Sequence, residues 1–495
     1  MKLLRTHTLD AVLASLLALL CGCTVGPDYV RPKANTPPEF KEAAGWKVAQ
    51  PQDEIARGKW WEVFADPQLN GLIDQVAISN QNIALAQSNF EQARALVQGA
   101  RSAYFPTVGV GAAVTRSSQS STLGSQPVAR GTNTNYLLQG DVTWEVDLWG
   151  RVRRSVESNE AAAQASAGDL QTALLSAQSE VAANYFLMRG LDAQRQLLDA
   201  SVVAYQKSLQ LTQNRYAAGI ASKVDVALAQ TLVKTTQAQA IETGVQRAQL
   251  EHAIAVLIGK PPSELSIPPN PLAGEPPPVP VGLPSALLER RPDIAAAERR
   301  VASANAQIGV AIAAYYPSLT LSAAGGYETT NLSEWLTAPS RFWALGPAAV
   351  AETVFDGGLR RAQTQQARAA HEGTVASYRQ TVLSAFQEVE DNLAALRILQ
   401  QEALAQDDAV KAAEESVRLT TNQYKAGTVS YLDVVISQTA ALNNQRTAVD
   451  VQARRMTAAV LLIKALGGGW NASEIPTPEE MARGDSTAPA KPSGG

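Results

Sequence analysis

The segment Asn214-Arg215-Tyr216-Ala217-Ala218-Gly219 returns 208 positions later as Asn422-Gln423-Tyr424-Lys425-Ala426-Gly427. Each copy closes a long proline-free run and is followed by Ser-x-x-Asp, at Ser222/Asp225 and Ser430/Asp433. Upstream of the first copy, Leu170, Leu174, Ala177, Val181, Met188, Leu191, Leu198, Val202, Tyr205, Leu209 and Tyr216 recur at three–four spacing, with Asn184, Arg195 and Thr212 in the polar gaps. Val375, Tyr378, Val382, Val389, Leu393, Leu396, Ala403, Val410, Val417 and Tyr424 repeat that spacing before the second. This is a coiled-coil seam, and it predicts helices over 150–218 and 357–426, each on the order of 100 Å long. Gly219 and Gly427 stand where a helix ends in the left-handed conformation, and Ser-x-x-Asp resembles a capping box opening return helices over 222–258 and 430–466.

Working outward, the repeat widens. Ala103-Tyr104-Phe105-Pro106-Thr107 matches Ala314-Tyr315-Tyr316-Pro317-Ser318, and Ile258-Gly259 matches Leu466-Gly467. Two units in one order, at 63–260 and 285–470, follow from these matches. Between them lies a connector, 261–284; residues 260–284 hold ten of the 26 prolines, which blocks helix there. Residues 24–60 and the tail 471–495 read as irregular, and Gly484 to Gly495 as disordered.

Each unit also carries strand patterning. Val108, Val110, Ala112 and Val114 share one face of a strand over 105–115; Tyr136, Leu138, Val142, Trp144 and Val146 share one face of a strand over 135–147. Asp141, Glu145 and Asp147 fall on the opposite, polar face. Strands over 317–327 and 342–355 follow in the second unit, the last alternating poorly. The lengths suit tilted membrane-spanning strands, although a soluble sheet with one buried face has the same pattern. Four strands do not close a membrane barrel, and an open edge in lipid leaves backbone groups unpaired, so spanning requires oligomers.

The first residues set the compartment. Lys2 and Arg5 precede the apolar run Ala11 to Leu20, too short to span a membrane, and Leu20-Cys21-Gly22-Cys23 follows. Residues 1–22 read as a lipoprotein signal peptide with Cys23 as the lipidated residue, heading a segment 23–62; ordinary signal cleavage is the alternative. Thr24 after the cysteine favours the outer membrane by likeness to sorted lipoproteins. The chain of 495 residues has 42 basic and 46 acidic side chains, a formal charge of −4, which argues against nucleic acid as a partner. Three His and two Cys leave little for metal sites, and none is expected. His252 and His371 lack a partner at ligand or triad spacing, and the glycine runs at 357–358 and 467–469 lack a phosphate-loop lysine, so no enzyme and no cofactor beyond the lipid on Cys23 are expected.

Cys23-Thr24-Val25-Gly26-Pro27-Asp28-Tyr29-Val30-Arg31-Pro32, Arg290-Arg291-Pro292-Asp293-Ile294, Tyr316-Pro317-Ser318-Leu319-Thr320-Leu321, Phe355-Asp356-Gly357-Gly358 and Ala465-Leu466-Gly467-Gly468-Gly469-Trp470 together resemble the TolC-like outer membrane factors, in their lipoprotein branch. The resemblance covers almost the whole chain. It implies a mainly α fold with transmembrane β: two tandem repeats per chain, long coiled-coil helices in a periplasmic α-barrel, and four strands per protomer in a trimeric 12-stranded outer membrane barrel. It implies a homotrimer in outer membrane lipid, partnered by a periplasmic adaptor (membrane fusion) protein and an inner membrane resistance–nodulation–division pump. The implied function is the passive exit duct for drugs or other small toxic compounds; a type I protein secretion duct, a metal-ion efflux duct and a coiled-coil envelope tether are the alternatives. On this resemblance the tips Gly219, Ser222, Gly427, Thr428 and Ser430 would dock the adaptor. Leu432, Asp433 and Ile436, with Asp225, would form the periplasmic gate, and Asp433 has a plain capping role as its alternative. Asp141, Glu145 and Asp147 would line the barrel lumen.

Overall fold

The computed structural model describes residues 24–43, 59–118, 132–279 and 287–482. The signal peptide, Cys23 and the stretch from Gly484 onward lie outside the described residues.

In the first unit, α1 (Pro67–Ser79) and α2 (Gln81–Ser102) lead into β1 (Thr107–Ser118) and β2 (Thr132–Val146), then α3 (Arg151–Ala217) and α4 (Lys223–Leu257). The second unit repeats the order: α5 (Pro292–Ala313), β3 (Ser318–Thr329), β4 (Arg341–Ala351), α6 (Leu359–Ala426) and α7 (Tyr431–Ala465). At 67 residues, α3 is about 100 Å long. It packs along α4, α2, α5 and α7, while α6 packs along α7 and α5. Both long helices start below an aspartate. Asp147 accepts from the backbone N–H groups of Val152 and Arg153, and Asp356 from those of Gly358 and Arg360. These bonds satisfy N–H groups that a helix leaves free at its start.

The core sits midway along the helices. Trp60, Tyr185, Tyr378, Ile254, Ile258 and Ile294 are essentially inaccessible there and belong to one cluster with the ends of α4 and α7. The seam residues Met188, Leu198, Val382, Val389 and Leu393 are buried, whereas Tyr216, near the tip, is 47% exposed. The tail departs from expectation between 471 and 482. A short helix, Pro478–Ala482, buries Met481 against Phe90, Val97 and Leu170, so apolar burial orders this stretch.

The four strands form one antiparallel sheet in the order β1-β2-β3-β4. Register places Val108 opposite Val142 and Ala112 opposite Leu138; Leu138 in turn faces Tyr327, and Val142 faces Ala323. One face is thus apolar across all four strands. β4 alternates poorly in sequence because the β3–β4 pairing shifts between Leu321 and Ala323. Trp343 and Leu345 lie on the apolar face before the shift, and Ala348 and Val350 after it, so the parity changes partway. β4 also stops at Ala351, short of Phe355.

Candidate functional site

The helical hairpin tips are the ends farthest from the sheet. Gly219 has φ +78° and Gly427 φ +79°. The N–H of Ile220 donates to the carbonyl of Arg215 at 2.8 Å, and that of Thr428 to the carbonyl of Gln423 at 3.0 Å. These six-to-one bonds close both helices in Schellman geometry, which needs a left-handed residue just before the donor. Ser222 and Asp225 then exchange bonds: the Ser222 N–H donates to the Asp225 carboxylate at 2.8 Å, and the Asp225 N–H to the Ser222 hydroxyl at 3.1 Å. Asp433 accepts from both the N–H (3.0 Å) and the hydroxyl (2.7 Å) of Ser430. In this conformation both carboxylates are held at the helix starts. Leu432 and Ile436, one turn apart on α7, are 50% and 59% exposed, and Val224, the first-unit counterpart of Leu432, is 66% exposed. Leu432 and Ile436 thus form an apolar stripe on α7 that the rest of the protomer leaves uncovered.

Sequence reasoning missed the residues that join the two tips. The Arg215 guanidinium lies over the Tyr424 ring at 4.8 Å, and its Nη1 donates to the Lys425 carbonyl at 3.0 Å. Tyr424 meets Tyr431 edge to face at 5.3 Å, and Ala229 and Val434 complete the cluster. Lower down, the Tyr205 hydroxyl donates to the Gln438 carbonyl at 3.1 Å. Burial pushes the Tyr431 and Tyr205 hydroxyls up to about 12. The sequence held one signal of the clasp: Arg215 stands where the second unit has Gln423, a departure from an otherwise close repeat.

At the opposite end, the sheet carries the residues expected to line a lumen. Asp141 sits on the polar face, in register with Gly109 and Ala324. Glu145 shares that face but is bound by Arg151 at 2.6 Å. Asp147 departs from expectation. β2 ends at Val146, and the Asp147 carboxylate turns into the start of α3 as its cap, because two free N–H groups there outcompete an unpaired position on the strand. Where strands meet helices, aromatic side chains gather. Trp149 stacks on Tyr316 at 4.8 Å and donates to the Pro317 carbonyl at 2.7 Å, while Phe105 and Phe355 are exposed. Such a belt suits a membrane–water interface. The first described residues reach this belt: the Val25 N–H donates to the Trp149 carbonyl at 3.1 Å. Among the described residues no helix is long and apolar enough to cross a membrane.

The family model for outer membrane efflux proteins matches residues 72–260 and 283–468, one match per structural unit. The chain belongs to the outer membrane efflux protein family. Among its relatives is the solvent efflux pump outer membrane protein SrpC of Pseudomonas putida, 33% identical over 92% of this chain and 98% of that protein. Outer membrane protein OprJ of Pseudomonas aeruginosa is 30% identical over 93% of this chain and 96% of its own length. Among solved structures, the outer-membrane channel OprN superposes with a TM-score of 0.85 at 29% identity, covering 90% of this chain and all of that one.

Proposed function

We propose that three copies of this chain form the exit duct of a tripartite efflux pump in the outer membrane, passing drugs or other small toxic compounds outward without chemistry of its own. One observation carries the reading: a four-stranded sheet with one continuous apolar face and two unpaired edges stands on helices about 100 Å long. An open edge in lipid leaves backbone groups unsatisfied, and only closure with other copies removes it. Three copies give 12 strands, within the range of membrane barrels. The helices then enclose a tunnel, and the sheet's polar face lines the barrel. Solvents, which give one relative its name, support small organic cargo.

In this reading Cys23 carries the lipid. The support is positional: Thr24, the next residue, packs against Gly150 at the aromatic belt, so an acyl chain on Cys23 starts at membrane level. The tips around Gly219 and Gly427 meet a periplasmic adaptor, which links to an inner membrane resistance–nodulation–division pump. Leu432 and Ile436 narrow the tunnel as an apolar ring, which gates by excluding water. Asp433 and Asp225 serve first as caps. Single-channel recording tests the duct. Purified trimers in planar bilayers are expected to conduct, with conductance rising several-fold when Leu432 and Asp433 are both replaced by Ala. Folded, inserted trimers that stay silent in both forms would remove the duct reading.

A further inference from the structure

The apolar face of the sheet ends in two arginines. Arg116 continues the face of Val108, Val110, Ala112 and Val114 on β1 and is exposed. Arg341 opens β4 on the face of Trp343 and Leu345, which are 82% and 86% exposed. β1 leaves the helices at Thr107 and β4 returns to them after Ala351, so both arginines stand at the rim far from the helices. From Thr107 to Arg116 the strand rises about 30 Å, or about 23 Å along the axis of a barrel tilted near 40°. That is close to the height of the apolar band of a membrane barrel, about 25 Å. A charge on the lipid side is costly at mid-membrane and nearly free at the headgroups, so this position marks headgroup level.

Neither arginine makes an ion pair among the described residues, and the sequence from 119 to 131 contains no Asp or Glu. The β3–β4 loop adds a second feature on the same side. Its Trp335 ring lies 5.8 Å from Tyr136, which is in register with Val114 and so shares the apolar face. The loop therefore leans over the outside of the sheet, and its Leu332 and Leu336 are 59% and 64% exposed. Cationic groups beside apolar ones, continuous with the lipid-facing surface, match a lipid that has both an anionic headgroup and acyl chains.

We infer that this outer rim is a binding site for phosphate-bearing lipids of the outer leaflet, with Arg116 and Arg341 on the phosphates and Leu332, Trp335 and Leu336 against the acyl chains. The inference rests on the trimeric barrel reading. Closure sets β4 of one copy beside β1 of the next, so Arg341 and Arg116 of neighbouring copies bracket one headgroup across the junction. The lipid then acts as a clamp between protomers.

The test uses purified full-length trimers in phosphatidylcholine nanodiscs, with or without lipid A. Wild type is expected to retain lipid A in native mass spectrometry and to dissociate at a temperature several degrees higher in its presence. The double variant Arg116→Gln/Arg341→Gln is expected to lose about tenfold in lipid A retention and the whole thermal gain, while its bilayer conductance stays that of wild type. Lipid A stripped of phosphate is expected to give no gain to either protein. An unchanged gain in the double variant, or an equal gain from the phosphate-free lipid, would overturn the site. Failure of wild-type protein to insert as a conducting trimer would instead count against the barrel reading beneath it.

Discussion

A Cβ at Gly467 would lie 2.0 Å from the carbonyl oxygen of Arg290, at a residue whose φ is +97°. Gly259, its first-unit counterpart, meets the carbonyl of Ser79 at the same distance. Each glycine lets the end of a return helix cross the start of a helix in its own unit. Gly219 has a similar φ but nothing within 4 Å of its would-be Cβ. The two positions therefore separate strain from contact. Gly219→Ala is expected to cost about 1 kcal/mol, the left-handed penalty alone. Gly467→Ala adds a backbone clash and is expected to cost at least about twice that, read as thermal unfolding of the trimer by circular dichroism. A Cβ at Gly427 would meet only the Arg215 guanidinium, at 3.9 Å, so Gly219→Trp and Gly427→Trp are each expected to leave trimers in the outer membrane while abolishing efflux, because the bulk lies on the proposed adaptor surface. Unchanged drug resistance in both would remove docking at the tips. The glycines were legible in the sequence as repeats. The tip pair was also legible by cause, since a helix end and its cap are local. The cause at Gly467 was not, because the opposing carbonyl belongs to a residue 177 positions away.

At the scale of elements, the proline-rich connector is fixed by a buried charge network. Asp192 on α3 accepts from Arg189 at 3.0 Å, Arg247 at 2.7 Å and the Asn270 N–H at 3.0 Å. Arg189 donates to the Pro268 carbonyl at 2.8 Å, and Glu251 and Arg247 hold the N–H and the carbonyl of Ile267. The connector has no ladder of its own, so these side chains satisfy its backbone instead. Asp192 and Arg189 side chains are each 3% exposed. Asp192→Ala leaves two guanidinium groups without their shared acceptor and is expected to cost about 3–5 kcal/mol. Limited proteolysis should then cut within 261–279 in the variant and spare the wild type; equal resistance would mean that other contacts hold the connector. Sequence patterning located the connector through its prolines but not this anchor, since Arg189 and Asp192 lie 79 and 78 positions from the backbone groups they hold. The helices and three of the strands were legible because their periods are local. β4 was obscured by a register shift that only its pairing with β3 reveals.

At the scale of the molecule, burial and tethering set two further expectations. Tyr185, Tyr205 and Tyr431 are buried on three levels of the long helices, and burial pushes each hydroxyl up to about 12; the bond from Tyr185 to Asp66 acts in the same direction. A raised folded pKa favours the protonated form, so the stabilisation is complete below about pH 10, where the unfolded tyrosine still holds its proton. Between about 10 and 12 the unfolded chain loses protons first and stability falls. Melting temperature is therefore expected to drop steeply over that window, and less steeply in Tyr205→Phe. The second expectation concerns the N-terminal arm, residues 24–43, which runs from the membrane belt to the core across both units. Val25 bonds to Trp149, Asp28 pairs with Arg154 at 2.9 Å, and Asn305 donates to the Pro27 carbonyl at 2.9 Å. Tyr29 donates to Glu298, Phe40 is buried beside Phe386, and Glu390 accepts the N–H groups of Lys41 and Glu42. These contacts lace α3, α5 and α6 together, whereas the proposed lipid on Cys23 adds only membrane affinity to a barrel that already spans the bilayer. Cys23→Ser, exported behind a cleavable non-lipoprotein signal, is expected to give heat-modifiable trimers in the outer membrane fraction, without acyl label. Deleting residues 24–43 behind the same signal is expected to give no trimers. If Cys23→Ser alone abolished them, the lipid rather than the arm would be directing assembly.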